Sequence, residues 1–163
     1  MEKKTASLRS CLQPSPKVLV SCCGKDGEQD ALAVAYCCNC SYDPPMVMVG
    51  IVPSRYSYHL IKETGCFTVN LVDKKYRKTF DYLGSHSKRD GDKLTAYGVR
   101  LGQGKKVVSP YLLDCPVHIE CTVTGSVVTG SHEMFIGKIE DVFADSELVA
   151  PDGKIDYSRI DFL

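Results

Sequence analysis

Two stretches near the C-terminus, "PVHIECTVTGSVV" (116–128) and "HEMFIGKIEDVFA" (132–144), restrict this chain more than any others. In the first, Val117, Ile119, Cys121 and Val123 alternate with His118, Glu120, Thr122 and Thr124. An apolar residue at every second position suits a strand with one face on a core and one in water. It does not suit a helix, whose apolar positions recur every three to four residues. The first stretch therefore reads as a half-exposed antiparallel strand. The second reads as another long strand, apolar on both faces from Met134 to Ile136.

The upstream chain extends the pattern. "KVLVSCC" (17–23) and "ALAVAYC" (31–37) read as strands joined by the turn "GKDG", which makes a hairpin. After a loop, "CNCSYDPP", come the buried strand "MVMVGIV" (46–52) and, later, the strand "CFTVNLV" (66–72). Between these two, "VPSRYSYHLIKETG" reads as a short helix, opened by Pro53 and Ser54 and closed by Gly65, with Leu60, Ile61 and Thr64 as its buried stripe. "KKYRKTFDYLG" is helical in pattern through Tyr76, Phe80 and Leu83, and a last short helix runs near Leu94 to Tyr97, ending at Gly98. "SHSKRDGDK" (85–93) is loop-like, and "APDGKID" is a turn near the end. Six or seven strands with two or three short helices, lacking regular strand–helix alternation, favour a mainly β chain. An antiparallel barrel fits better than a sandwich or a doubly wound sheet. The expectation is one domain over residues 1–163, with 1–16 as an N-terminal arm.

Lysine plus arginine equals aspartate plus glutamate at 20 each, so neither nucleic acid nor an acidic membrane is expected as a partner. The polar start "MEKKTASLRSCLQPSP" lacks a secretion signal, and no run reaches the roughly 18 apolar residues of a membrane span. The expected location is cytoplasmic, where the nine cysteines read as thiols.

Four features bear on chemistry. The helix start carries Ser54, Arg55 and Ser57 and no acid, an arrangement suited to an anion; a plain N-cap with solvated neighbours is the alternative. The loop "SKRDGDK" gathers Ser87, Lys88, Arg89 and Lys93 around Asp90 and Asp92, either as a solvated charged loop or as the second half of a phosphate cradle. "CCNC" (37–40) invites a metal reading, but the hairpin puts Cys22 and Cys23 near its turn and Cys37 at the far end of the returning strand. At roughly 3.3 Å per residue these thiols are too far apart to share an ion. No metal site is expected, and the thiols read as buried or ligand-facing. His132, after a Gly-Ser turn, presents a ring at a barrel rim or is a hydrogen-bonded surface histidine.

Taken in order, the segment "DGEQDALAVAYCCNCSYDPPMVMVGIVPSRYSYHLIKETGCFTVNLV" resembles the N-terminal half of flavin reductase-like proteins, the FMN-binding split barrels that include flavoredoxins. "SKRDGDKL", "CPVHIECTV", "GSHEMFIGKIEDV" and "DGKID" extend the resemblance over nearly the whole chain from about Lys17. It implies a six-stranded antiparallel split barrel and a homodimer with noncovalent FMN near its interface. Electrons would pass from NAD(P)H to flavin, or from flavin to another acceptor such as a redox protein. By the same resemblance Tyr36, Cys37, Cys38, Asn39, Cys40 and Ser41 lie along the ring edge and offer backbone N–H groups. Ser54, Arg55 and Ser57 hold the phosphate, and Ser87, Arg89 and Lys93 form the other half of the clamp. Asn70, in the F-x-V-N strand, lies close to the flavin, and His132 stands where a nicotinamide would stack. Many relatives continue past "DGKIDYSRIDFL" with a tail over the flavin; its lack here implies a more exposed flavin or one covered by a partner subunit. The rival readings are an FMN-binding electron carrier without nicotinamide activity and a dimeric binding module without flavin.

Overall fold

The structure, a computed structural model, describes residues 1–9 and 12–163. Ser10 and Cys11, within the expected arm, lie outside the described residues. The described residues before Val18 form no helix or strand and are nearly all exposed.

β1 (Val18–Cys23) and β2 (Gln29–Val34) form the expected hairpin, with Gly27 at φ +80° in its turn. β3 (Tyr36–Ser41) and β4 (Met46–Ile51) follow, then α1 (Tyr56–Thr64) and β5 (Cys66–Leu71). Gly65 sits at φ +67° and returns its N–H to Ile61 O at 2.8 Å, which stops α1 where the sequence predicts. α2 (Arg77–Ser85) and α3 (Lys93–Tyr97) lead to the short pair β6 (Leu101–Gly102) and β7 (Tyr111–Leu112). The long strands β8 (Val117–Thr129) and β9 (His132–Ala144) are the last strands among the described residues.

One seven-stranded antiparallel sheet runs in the order β2-β1-β5-β8-β9-β4-β3, and β6 pairs with β7 apart from it. The main sheet thus has seven strands, where the pattern gave six or seven and the resemblance implied six. Its two edge strands, β2 and β3, are separated in sequence by Ala35 alone. The sheet must therefore curl until its edges meet, which makes the half-open barrel.

The barrel interior holds Val18, Val20, Leu32, Val34, Val47, Val49, Ile51, Phe67, Val69 and Phe135, closed at one end by Leu60 and Ile61 of α1. Each such side chain contributes about 1.5–3 kcal/mol when fully buried. Gly137 is required here: a Cβ would stand 2.5 Å from the Phe67 ring and 2.8 Å from Cys121. Leu19 and Ala31 point the other way, into a second core with Val72, Leu83, Leu94 and Leu112. That second core explains why "VLVSCC" is buried at every position.

Two local expectations fail. Cys38–Ser41, at the start of the expected loop, continues the strand from Tyr36, because pairing with β4 overrides the weak strand preference of Asn39 and its polar neighbours. β8 is not half-exposed over its first half, because the segment from Lys105 to Tyr111 covers its polar side. There Glu120 is fully buried and accepts from Lys105 N and Lys106 N, both at 2.7 Å. His118 packs against Tyr111 and Phe143, and burial lowers its pKa to about 4.

Candidate functional site

A cleft of about 150 Å³ lies where the start of α1 meets the loop between α2 and α3. β2 gives its floor, Asp30, Leu32 and Ala33. One wall is Ser54, Arg55, Tyr56 and Ser57; the other runs from Leu83 through Ser87 and Lys88 to Lys93. The two cationic segments that the sequence sets more than thirty residues apart thus face one another.

The α1 end lacks any internal answer to its dipole. Arg55 is its extended N-cap residue and makes no side-chain cap, and no acid stands in the first turn. The first N–H groups of a helix have no intrahelical acceptor, so this end favours negative charge. Ser54 and Arg55 are exposed at the mouth. Ser57 is buried, and its hydroxyl donates to Asp30 Oδ2 at 2.5 Å. Across the cleft, Ser87 caps the short turn at Lys88–Asp90 by accepting from Arg89 N at 3.2 Å. Arg89 itself is exposed and stands outside the cleft lining. Lys88 Nζ lies 3.6 Å from Asp92 Oδ1.

The base of the cleft is a buried ion pair. Lys93, 5% exposed, donates to His86 O at 3.1 Å and Leu83 O at 3.5 Å, and its Nζ stands 3.2 Å from Asp30 Oδ1. That last approach is off the hydrogen-bonding direction and leaves Oδ1 without a hydrogen-bond partner. Sequence reasoning passed over Asp30. Its signal was an acid inside "QDALAV", where the neighbours are apolar and a charge needs a partner.

Asn70, expected close to the flavin, is taken up by the protein's own hydrogen bonds. It is fully buried, and its amide nitrogen reaches Leu19 O at 3.0 Å and Ser21 Oγ at 2.9 Å. Its Oδ1 accepts from Leu112 N and from His118 Nδ1, each at 2.9 Å. The residue ties β1, β5, β7 and β8 together and has no surface to offer a ligand.

A second hollow, apolar and more open, is lined by Tyr36, Met48, Val127, Thr129, Ser131, His132 and Met134. His132 packs edge-on against Tyr36, with ring centres 4.8 Å apart and planes at 87°. Its Nδ1 stands 2.9 Å from Ser131 Oγ. Tyr36, at this hollow, is three residues from Ala33, in the cleft floor, so a strand rise of about 3.3 Å per residue puts the two within about 10 Å. β3 runs on from Tyr36 with Cys38, Asn39 and Cys40 exposed, and its outer edge is unpaired among the described residues. Cys37 turns inward beside Cys121, and burial, with Cys38 and Cys40 nearby, pushes its thiol up to about 12. Among the described residues, no three His, Cys, Asp or Glu side chains form a group able to hold a metal ion, and no helix is long and apolar enough to cross a membrane.

The fold has counterparts among known proteins. The flavoredoxin of Desulfovibrio vulgaris (Miyazaki F) superposes with a TM-score of 0.89 at 30% identity, covering 96% of this chain and 84% of that one. The flavoredoxin of Methanosarcina acetivorans gives 0.89 at 24% identity over 100% of this chain and 86% of that one, a likeness of fold. The NADH-dependent flavin reductase StyB of Pseudomonas fluorescens is 28% identical over 115 residues, 71% of this chain and 63% of that protein. The chain spans about half to two-thirds of the length of the curated relatives it matches. Residues 10–157 match the model of the flavin reductase like domain, and the chain belongs to that family.

Proposed function

We propose that this chain binds FMN noncovalently and acts as an oxidoreductase that moves electrons between NAD(P)H, the flavin and a further acceptor. The observation that carries the reading is the cleft itself. An uncapped helix start with Arg55 and two serines faces Ser87, Lys88 and Lys93 across a space suited to one phosphate. Arg55 has the forked donors that phosphate accepts best. One group dissents: the buried Asp30 carboxylate repels a phosphate and holds back part of the Lys93 charge.

The ribityl chain would follow β2 toward Tyr36. The ring would then lie against the open edge of β3, from Tyr36 through Cys37, Cys38, Asn39 and Cys40 to Ser41, whose free backbone groups supply donors. FMN supplies the electron-accepting and hydride-accepting chemistry when bound. The chain's own residues bind the phosphate, hold the ring edge and leave the hollow beside His132 open for a nicotinamide. The NADH dependence in StyB's name supports a nicotinamide reductant, and the flavoredoxin likeness supports flavin-based redox chemistry. A redox protein is the further acceptor in this proposal. A homodimer is part of the proposal, with the partner subunit covering the ring.

The test is reconstitution. The purified chain, mixed with FMN and desalted, retains a yellow flavin spectrum, and riboflavin without its phosphate binds far more weakly. Equal binding of the two would remove the cleft from the argument. Anaerobic mixing of the loaded protein with NADH and then NADPH bleaches the flavin if the chain is a reductase. No bleaching with either leaves it an electron carrier reduced by another protein.

A further inference from the structure

β3 carries three cysteines within four residues, and the structure sorts them. Cys37 is turned inward, and its raised pKa makes it a poor nucleophile at neutral pH. Cys38 and Cys40 are the exposed cysteines among the described residues. The ladder with β4 slips between them: Asn39 pairs with Val47 and Ser41 with Met46, so Cys40 is the extra residue of a β-bulge. A bulge bends its strand and re-aims the neighbouring side chains. In a regular strand, residues two apart are separated by about 6.6 Å, at the outer limit of the ~4.4–6.8 Å Cα spacing a disulfide tolerates. The bulge at Cys40 departs from that regular extended spacing, which is the change closure of the pair requires.

We propose that Cys38 and Cys40 form a redox-active dithiol that closes to an intramolecular disulfide while reducing a disulfide-bonded substrate. Cys38, held in the ladder opposite Met48, attacks first, and Cys40, the bulge residue outside the ladder, turns onto it as the resolving thiol. Burial, and then the neighbouring Cys38, raise the pKa of Cys40. The Cys38 thiolate attacks one sulfur of the substrate; the substrate S–S bond breaks, a mixed disulfide forms and one thiolate leaves. Cys40 then attacks the Cys38 sulfur, the mixed disulfide breaks and the second thiolate leaves. Two electrons pass from the cysteine pair to the substrate, and the two cysteine protons end on the two released thiols. A closed ring this small, on an exposed strand, is of the strained and accessible kind that is readily reduced again. The return needs two electrons and two protons from a small dithiol or from the reduced flavin. Only that second source rests on the proposed function.

The experiment uses the full chain, with and without FMN, held anaerobically in glutathione buffers of stepped potential. Free thiols are then blocked with an alkylating reagent, and intact and peptide masses are read. The β3 peptide is expected to pass from doubly alkylated to an unalkylated Cys38–Cys40 disulfide in one two-electron step. Cys40→Ser is expected to accumulate a single glutathione adduct on Cys38. The proposal is overturned if Cys38 and Cys40 alkylate independently at every potential, if each takes up its own glutathione, or if the bridge found involves Cys37. A chain that closes the pair but takes up no FMN refutes the flavin reading alone. One that binds FMN and never closes the pair refutes this inference alone.

Discussion

The two ends of the segment that runs through β2 and β3 contrast sharply. At the β2 end, Asp30, Ser57 and Lys93 are buried together, and the cleft they floor is walled by α1 and the loop before α3. At the β3 end, Tyr36, Cys38, Asn39 and Cys40 are exposed, and the neighbouring hairpin tip leaves Val127 and Val128 53% and 72% exposed. One region is enclosed within the single chain; the other is open to solvent. Charge explains the difference. A buried charge must be compensated when the chain folds, whereas apolar side chains and thiols can await a second surface.

The largest effect that could break this contrast is on stability. Lys93→Met removes the cation from the floor and leaves the Asp30 carboxylate buried beside Ser57 alone. Removing one partner of a buried pair costs about 3–5 kcal/mol, and chemical denaturation is expected to read a loss of that size. The double variant with Asp30→Leu should recover most of it. Cys38→Ser, at the exposed end, should stay within about 0.5 kcal/mol of the parent. Equal losses at both ends would mean that the cleft is no more preassembled than the edge strand.

Next in size is ligand affinity. Arg55 is exposed and carries no structural bond from its side chain, so Arg55→Ala should leave the melting temperature unchanged. Loss of a charge-assisted contact to phosphate, about 1.5–3 kcal/mol, corresponds to roughly 10- to 100-fold weaker FMN binding by fluorescence titration. Unchanged affinity would take Arg55 out of the phosphate site. Asp30→Asn sharpens the same point in the other direction: it removes the dissenting carboxylate and should tighten binding.

Glu133 joins the two regions, and its effect is a matter of pH. It sits on β9, 5% exposed, and accepts from Lys62 Nζ at 2.7 Å, from Ser126 Oγ at 2.5 Å and from the Tyr58 hydroxyl. These bonds, that of Lys62 first, hold its pKa down to about 2 against an ordinary 4.5. A depressed folded-state pKa stabilises the fold fully above the ordinary value. The contribution fades as pH falls from about 4.5 toward about 2. Glu133→Gln should flatten the fall of melting temperature across that window. A slope identical to the parent's would show that α1 is not tied to the hairpin by this carboxylate.

How far the sequence alone reveals these regions follows from the range of the forces. Local chemistry was readable: Gly65 and Gly98 end their helices in the left-handed region, and the alternation in 116–128 is a strand. Both walls of the cleft were readable as residue types, because Arg55 with its serines and "SKRDGDK" are contiguous. Their meeting over Asp30 was not, since it depends on the β1–β2 register that sets Asp30 opposite Cys22. The partners of Asn70 are hidden from the sequence for a related reason. An asparagine in a strand offers the same groups to a ligand as to a core, and only the arrival of β7 and β8 shows that Leu112 and His118 take them. Cys38–Ser41 is not legible as a strand, because its stability lies in pairing with β4, a non-local contact.

The smallest expected effect falls at the uncovered end. The His132 ring contacts Tyr36 and Ser131 and lines the apolar hollow, and it does not reach the cleft. His132→Ala should therefore leave FMN affinity unchanged while slowing flavin reduction by NAD(P)H several-fold in anaerobic stopped-flow mixing. The loss should appear as weaker saturation by nicotinamide, because an edge-packed ring positions a stacked partner and need not move a proton. A loss confined to the maximal rate, with saturation unchanged, would instead assign the ring to the reacting atoms. Full-speed reduction would leave the hollow without a part in nicotinamide binding, and a covering surface from a second copy would then be its better occupant.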